Sequence, residues 1–190
     1  TCHHVVKAAD GGSISVTFSH GQYQAGVEGV DVENDSALLR LTRAVPSSKA
    51  EPLLLTLAPL LKGTDWEGYG FPMATQHAGL LIGGRVQDPT GEDSKLRATV
   101  VLQSVNVTAG SLIHGFSGSP VLVDGKVVGQ MRQIIPDSSG GAQMAIIYAC
   151  PTTVLARLAR RSFGEIPFLF QANLTLDTTE QQYVDRLQKH

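Results

Sequence analysis

Apolar residues recur in this chain at a period of two over short stretches cut by turn residues, a pattern that predicts many half-buried β-strands. Residues 12–19 (GSISVTFS) alternate in this way, His20-Gly21-Gln22 reads as a hairpin turn, and 23–31 (YQAGVEGVD) as the returning strand. Asp35 to Leu41 (DSALLRL) predicts a short strand opened by an acid, followed by a polar loop from Pro46 to Glu51. The apolar run Leu53 to Leu61 is broken by Pro59 and Gly63, and Trp66 to Pro72 (WEGYGFP) reads as a strand ending in a turn. Leu80 to Val86 and Leu96 to Val107 continue the pattern on either side of a polar loop, Gln87 to Ser94. Residues 118–131 predict two strands around Asp124-Gly125, a strong hairpin signal, and 144–149 (MAIIYA) one more strand. Thr152 to Arg161 (TTVLARLARR) is the one convincing helix of the body, with basic residues in its last turns where the helix dipole favours them.

Short strands at this spacing with one late helix predict an all-β fold of sandwich or paired-barrel type. Thr1 to Val6 (TCHHVV) reads as an apolar strand end, so one or more strands are expected ahead of it. Residues 1–161 are expected to form one domain, and 162–190 an extension. Within that extension 162–175 is irregular, and 177–190 predicts a helix with a short apolar side of Tyr183, Val184 and Leu187. It reads equally as a linker to a further domain or as a helix packing back on the barrel.

Composition narrows the class. With 190 residues and 42% hydrophobic positions the chain can bury a sizeable core, and 20 glycines with nine prolines suit a turn-rich body. A formal net charge of -2 without a basic block gives no reason to expect a nucleic-acid partner, and no apolar run is long enough to span a bilayer. Cys2 and Cys150 are the only cysteines; they read as two buried free thiols or as one bridge, the former favoured. So sparse a count fits a reducing, cytoplasmic compartment better than a periplasmic or secreted one.

The sharpest chemical signal is Gly115 to Val121 (GFSGSPV). A serine nucleophile needs its oxygen exposed on a tight loop with two backbone N–H groups converging on the developing oxyanion. Gly115 and Gly118 permit such a loop around Ser117, and the N–H groups of Gly115 and Ser117 are the expected donors. A β-hairpin rather than a helix follows, which excludes the nucleophile elbow of the α/β-hydrolases. A hydroxyl attacks an amide only with a base, and the base needs a carboxylate to fix its tautomer. His4 and Asp35 supply both in the order His, Asp, Ser, with intervals that suit one barrel for the first two and a second barrel for the third; Asp31 is the fallback acid.

In these residues the chain resembles the trypsin-like (chymotrypsin-clan) serine proteases. Thr1 to Val6 is similar to the family's T-A-A-H-C-V or T-C-A-H-V-V, Asp35 to Leu41 to D-[IL]-A-L-L-[KR]-L, and Gly115 to Val121 to G-[DN]-S-G-G-P-[VL]. Trp66 to Pro72 resembles a family strand end, and Tyr148 to Leu155 (YACPTTVL) the F-A-I-P segment of bacterial HtrA/Deg-type peptidases. The resemblance implies two packed six-stranded antiparallel β-barrels, the first incomplete at its N-terminus, with a C-terminal helix, and endopeptidase activity through His4, Asp35 and Ser117. No cofactor or metal is implied; the partner is a protein or peptide substrate, with a C-terminal regulatory domain of the same chain as a further candidate. Similarity of the tail to sequence leading into NACHT-type signalling ATPases would make the domain the effector of a bacterial defence protein. Barrels used only for binding, as a pseudoprotease, are the competing reading.

The departures carry information too. Phe116 stands where activated secreted trypsins place an aspartate for a freed N-terminal amine, so that switch cannot operate. Ser119 replaces a glycine. The floor of the specificity pocket is expected near Ser111, with Leu112 and Ile113 on one wall and Met131 on the other, favouring a modest apolar side chain. Arg132 and Gln133 follow on the strand expected to pair with substrate, or else face solvent. His77 and His114 have no neighbours at metal-ligand spacing. The Asn106 and Asn173 glycosylation patterns carry no argument in a reducing compartment.

Overall fold

The computed structural model describes residues 1–7, 13–46, 48, 51–72, 79–106, 115–136 and 142–164. Strands dominate, as the period-two pattern predicts. The described N-terminal unit is a three-stranded antiparallel sheet of β1 (Ile14–Phe18), β2 (Gly21–Asp31) and β3 (Ser36–Leu41), in that order. The second unit is a closed six-stranded barrel. Its strands are β4 (Asp65–Gly70), β5 (Leu80–Glu92), β6 (Ala98–Ser104), β7 (Pro120–Val123), β8 (Lys126–Pro136) and β9 (Ala142–Pro151). Around the barrel they run β4-β5-β6-β9-β8-β7, and pairing of Glu67 with Leu122 closes it.

Inward-facing residues of every barrel strand but none of the first sheet make the main core. Trp66, Ile82, Leu102, Val121, Met131 and Ile147 are packed there with Phe116, all at most 4% exposed. The β7–β8 hairpin turns on Asp124 and Gly125, both at positive φ, as the Asp-Gly signal predicts. The final helix, α2 (Thr152–Phe163), buries Val154, Leu155, Ala156, Leu158 and Ala159, and ends at Gly164 in the left-handed conformation. It lies against both units: the Thr152 hydroxyl donates to the carbonyls of Thr56 (2.6 Å) and Val128 (3.3 Å), while Arg161 reaches Asp31 at the end of β2 (2.9 Å). No helix among the described residues is long and apolar enough to cross a membrane.

Two local expectations are corrected. In the segment expected to end a strand at Thr1 to Val6, only Thr1 bonds to a strand, exchanging backbone bonds with Ala37 of β3; from His3 the chain is a short helix, α1 (His3–Lys7), tied to the turn before β3 by the bond from the His3 N–H to the Asp35 carbonyl. The expected polar loop Gln87 to Ser94 is mostly strand: β5 runs on to Glu92 through register shifts after Val86 and Asp88 that absorb its irregular composition. The described residues form one closed barrel and one open three-stranded sheet, in keeping with a first barrel expected to be incomplete at its N-terminus. The extension beyond Gly164, including the expected helix at 177–190, lies outside the described residues.

Candidate active site

The acid-bearing turn builds the site from the sheet outward. Between β2 and β3 the chain reverses over Val32 to Asp35, and the Asp31 carboxylate fixes the turn by accepting from the Asn34 backbone N–H (3.0 Å) and side-chain amide (3.1 Å). Burial alone would raise the Asp31 pKa, but the Asn34 hydrogen bonds and the Arg161 charge outweigh it and hold the group below the usual range. Asp31 is therefore fully engaged in holding the turn, and the fallback role does not fall to it. Asp35 itself sits at φ +53°, a left-handed conformation that aspartate tolerates better than most residues.

That twist aims the Asp35 carboxylate at the first turn of α1. One oxygen accepts from the His4 backbone N–H (2.8 Å), and the other lies 2.6 Å from His4 Nδ1. The His3 N–H donates in turn to the Asp35 carbonyl (3.1 Å). Across the gap to the barrel, His4 Nε2 lies 3.1 Å from Ser117 Oγ. The structure thus brings the three predicted residues together, carboxylate to imidazole to hydroxyl, from both units.

The serine loop is held by the barrel. Phe116 is 3% exposed within the core, so the residue before the serine is an apolar anchor rather than an acid awaiting an amine. Gly118 N–H donates to the Met131 carbonyl (2.8 Å), and Met131 N–H donates to that of Ser119 (2.8 Å), locking the loop to β8. Gly115 and Gly118 take φ of +106° and +91°, where a side chain is strained; a Cβ on Gly115 would also lie 2.6 Å from the Phe71 carbonyl oxygen. A cleft of about 480 Å³ beside the loop is lined by His4, Asp35, Gly115 and Ser117.

Met131 and Arg132 both line this cleft, but not as free pocket walls. Met131 is 1% exposed and its side chain fills the barrel interior over Gly68. Arg132 is neither solvent-facing nor available as a loose cation. Its guanidinium is buried and donates to the Asp93 carboxylate (3.0 Å), the Thr99 hydroxyl (3.1 Å), the Ala98 carbonyl (3.4 Å) and the Asn34 carbonyl (3.3 Å). The last of these bonds reaches across to the turn carrying Asp35. Ser111, Leu112 and Ile113, expected to shape the specificity pocket, lie outside the described residues, as do His77 and His114.

Sequence reasoning missed Lys95, Arg97 and Val32, which line the same cleft. Lys95 and Arg97 sit in the β5–β6 turn, where Asp93 accepts from the backbone N–H groups of both (2.9 and 3.1 Å). The run Glu92-Asp-Ser-Lys-Leu-Arg97 between two strands was the available signal, an aspartate opening a turn that returns two cations.

Both cysteines are buried free thiols. The Cys2 thiol donates to the Met131 carbonyl (3.3 Å), and the Ser36 hydroxyl donates to Cys150 Sγ (3.3 Å), so each thiol is bonded across the boundary between sheet and barrel. Burial, with the nearby Asp35 charge, pushes the Cys2 pKa up to about 11. Its sulfur lies within 4.8 Å of ligand atoms of His4 and Asp35. The protonated thiol donating to a carbonyl, and the His4–Asp35 contact, make this cluster a support for the site rather than a prepared set of metal ligands.

Residues 1–129 match the family model of the trypsin-like peptidase domain, and the chain belongs to that family. Among solved structures, the HtrA-type protease AlgW with a decapeptide is similar at a TM-score of 0.63 and 21% identity, covering 87% of this chain and 49% of that one. An inactive serine-to-alanine form of Rv3671c from M. tuberculosis H37Rv is similar at 0.62 and 17%, covering 88% and 77%. The likeness establishes a shared chymotrypsin-like fold, and this chain spans about half the length of AlgW. No curated protein matches the chain.

Proposed function

We propose that this domain is a serine endopeptidase acting through an acyl-enzyme on Ser117. The observation that carries the reading is the unbroken line from Asp35 through His4 to Ser117, with contacts of 2.6 and 3.1 Å. Ser117 Oγ attacks the peptide carbonyl carbon as its proton passes to His4 Nε2, and the carbonyl oxygen takes the negative charge. Collapse of this intermediate breaks the C–N bond, and His4 returns the proton to the leaving amine. Water then repeats the sequence on the ester, giving a free carboxylate and regenerating the hydroxyl. Asp35 holds the imidazole throughout with Nε2 toward the serine. The N–H groups of Gly115 and Ser117 are the oxyanion donors in this reading, supported by the glycine-permitted loop on which they lie. A cytoplasmic setting belongs to the same reading, supported by two thiols each bonded elsewhere than to one another.

Ser117→Ala in the full-length protein is expected to lower peptide turnover at least ~10³-fold while circular dichroism stays unchanged. A fluorophosphonate probe should label wild type and not this variant. Turnover by the variant at the wild-type rate would end the proposal.

A further inference from the structure

The cleft beside Ser117 carries a surplus of positive charge. Lys95, Arg97 and Arg132 line it, and Asp35 is the one carboxylate among the described lining residues. Both oxygens of Asp35 are already engaged by His4. Behind the wall, the buried Asp93 carboxylate accepts from Arg97 Nε (2.7 Å) and from Arg132 (3.0 Å), so a single anion serves two guanidinium groups. One positive charge there is left without a counterion among the described residues, and a low-dielectric wall amplifies its field in the cleft.

Two further observations point the same way. Arg132 Nε is buried with no hydrogen-bond partner among the described residues, so the guanidinium is only partly compensated where it lies. Lys95 makes no ion pair among the described residues, and its backbone is fixed by Asp93 so that the side chain stands at the cleft. Burial, and then the neighbouring Arg97 charge, hold the Arg132 pKa below its ordinary value.

We propose that the Lys95–Arg97–Arg132 wall is a subsite for a substrate side-chain carboxylate, so that the enzyme prefers peptides with Asp or Glu within a few residues of the scissile bond. The inference rests on the peptidase reading above and names its substrate class. A carboxylate placed there pairs with Lys95 and neutralises the surplus of the Arg–Asp–Arg cluster. A cationic side chain meets like charges in a confined space. The amide of Gln or Asn can hydrogen-bond but cannot neutralise, so acid against amide is the decisive comparison.

The test uses full-length Ser117→Ala protein and fluorescent peptides of one length, with a single Glu, Gln or Lys walked through each position and the C-terminus either free or amidated. Anisotropy is expected to show one position where Glu binds about tenfold or more tighter than Gln, and Lys weaker than both, whatever the C-terminus. Added Lys95→Glu should bring the Glu-to-Gln ratio to one or below, and raising salt from 0.05 to 0.5 M should shrink it. Equal binding of Glu and Gln at every position overturns the proposal. So does a preference that survives Lys95→Glu, or one seen only with a free C-terminus, which would mark a chain-end carboxylate site. Hydrolysis separates the two claims. Wild type cleaving the neutral peptides while Ser117→Ala does not supports the peptidase reading whatever the binding shows. A Glu preference without any wild-type cleavage supports the subsite and sinks the peptidase.

Discussion

The two units contribute to the site by different physical means. The barrel presents Ser117 from a loop whose preceding residue, Phe116, is buried with Trp66 and Val121, and whose following residues, Gly118 and Ser119, are bonded to Met131 of β8. Its serine is placed by packing. The three-stranded sheet contributes none of its residues to that core, and places its acid and base almost wholly by hydrogen bonds around the Val32 to Asp35 turn. Packed cores resist small displacement, whereas hydrogen-bonded turns open more readily. The reacting distance between His4 and Ser117 therefore depends on the polar ties that join sheet to barrel: the Cys2 thiol, the Ser36 hydroxyl, Arg132 and Arg161.

The largest effect should come from breaking the sheet's contribution at its chemical end. Asp35→Asn keeps an oxygen for the His4 backbone N–H but presents an amide where the imidazole Nδ1–H needs a carboxylate. It is expected to lower kcat by about 10³–10⁴-fold, with KM and the folded spectrum little changed, because the imidazole then turns the wrong nitrogen toward Ser117. Steady-state kinetics on a neutral peptide measures this; a loss of less than tenfold would show that Asp35 does not orient the base.

The same contrast explains what was legible in the sequence. Ser117 and its glycines could be read because a strained, exposed loop demands particular residue types, and the hairpin after it follows from Asp124-Gly125. Asp35 could be read because it stands directly before a short apolar strand. The β5–β6 wall could not be read, since Lys95 and Arg97 look like an ordinary solvated turn until β9 and β8 bring Arg132 beside Asp93. Arg132 misleads in the opposite way: its neighbours alternate like a strand facing substrate, but the buried Asp93, which no local pattern around Arg132 reveals, captures its side chain. The first segment, TCHHVV, carries β-branched residues that favour a strand in isolation; three backbone bonds to the acid-bearing turn and β3 decide otherwise.

Arg132 sharpens the comparison, because it is the barrel's direct hold on the sheet's turn. Arg132→Met removes the donor to the Asn34 carbonyl and leaves Asp93 with Arg97 alone. Stability is expected to fall by about 3 kcal/mol in a denaturant titration, the usual scale for breaking a buried ion pair from one side. If Arg132 also positions Asp35, kcat on a peptide without acidic residues falls about tenfold in the folded enzyme while KM holds, and Arg132→Lys restores part of it. A loss of stability with kcat intact would reduce Arg132 to a structural role.

Cys2 tests the junction with a smaller and reversible perturbation. Its thiol is buried at the boundary, and its pKa stands at about 11 against an ordinary value of 9.0. Where the folded pKa is the higher one, the contribution to stability is fully present below pH 9, and is lost as pH rises toward 11 because the unfolded chain sheds its proton first. Two pH units of separation correspond to about 2–3 kcal/mol across that window. Cys2→Ala should be less stable at pH 7 through loss of the bond to Met131, but its stability should fall less steeply than wild type between pH 9 and 11. Peptidase activity should follow the same curve, since the thiol ties the segment carrying His4 to the strand that locks the serine loop. Parallel alkaline slopes for the two proteins would place the thiol in water-accessible surroundings in solution, and would remove Cys2 from the ties that set the distance between base and nucleophile.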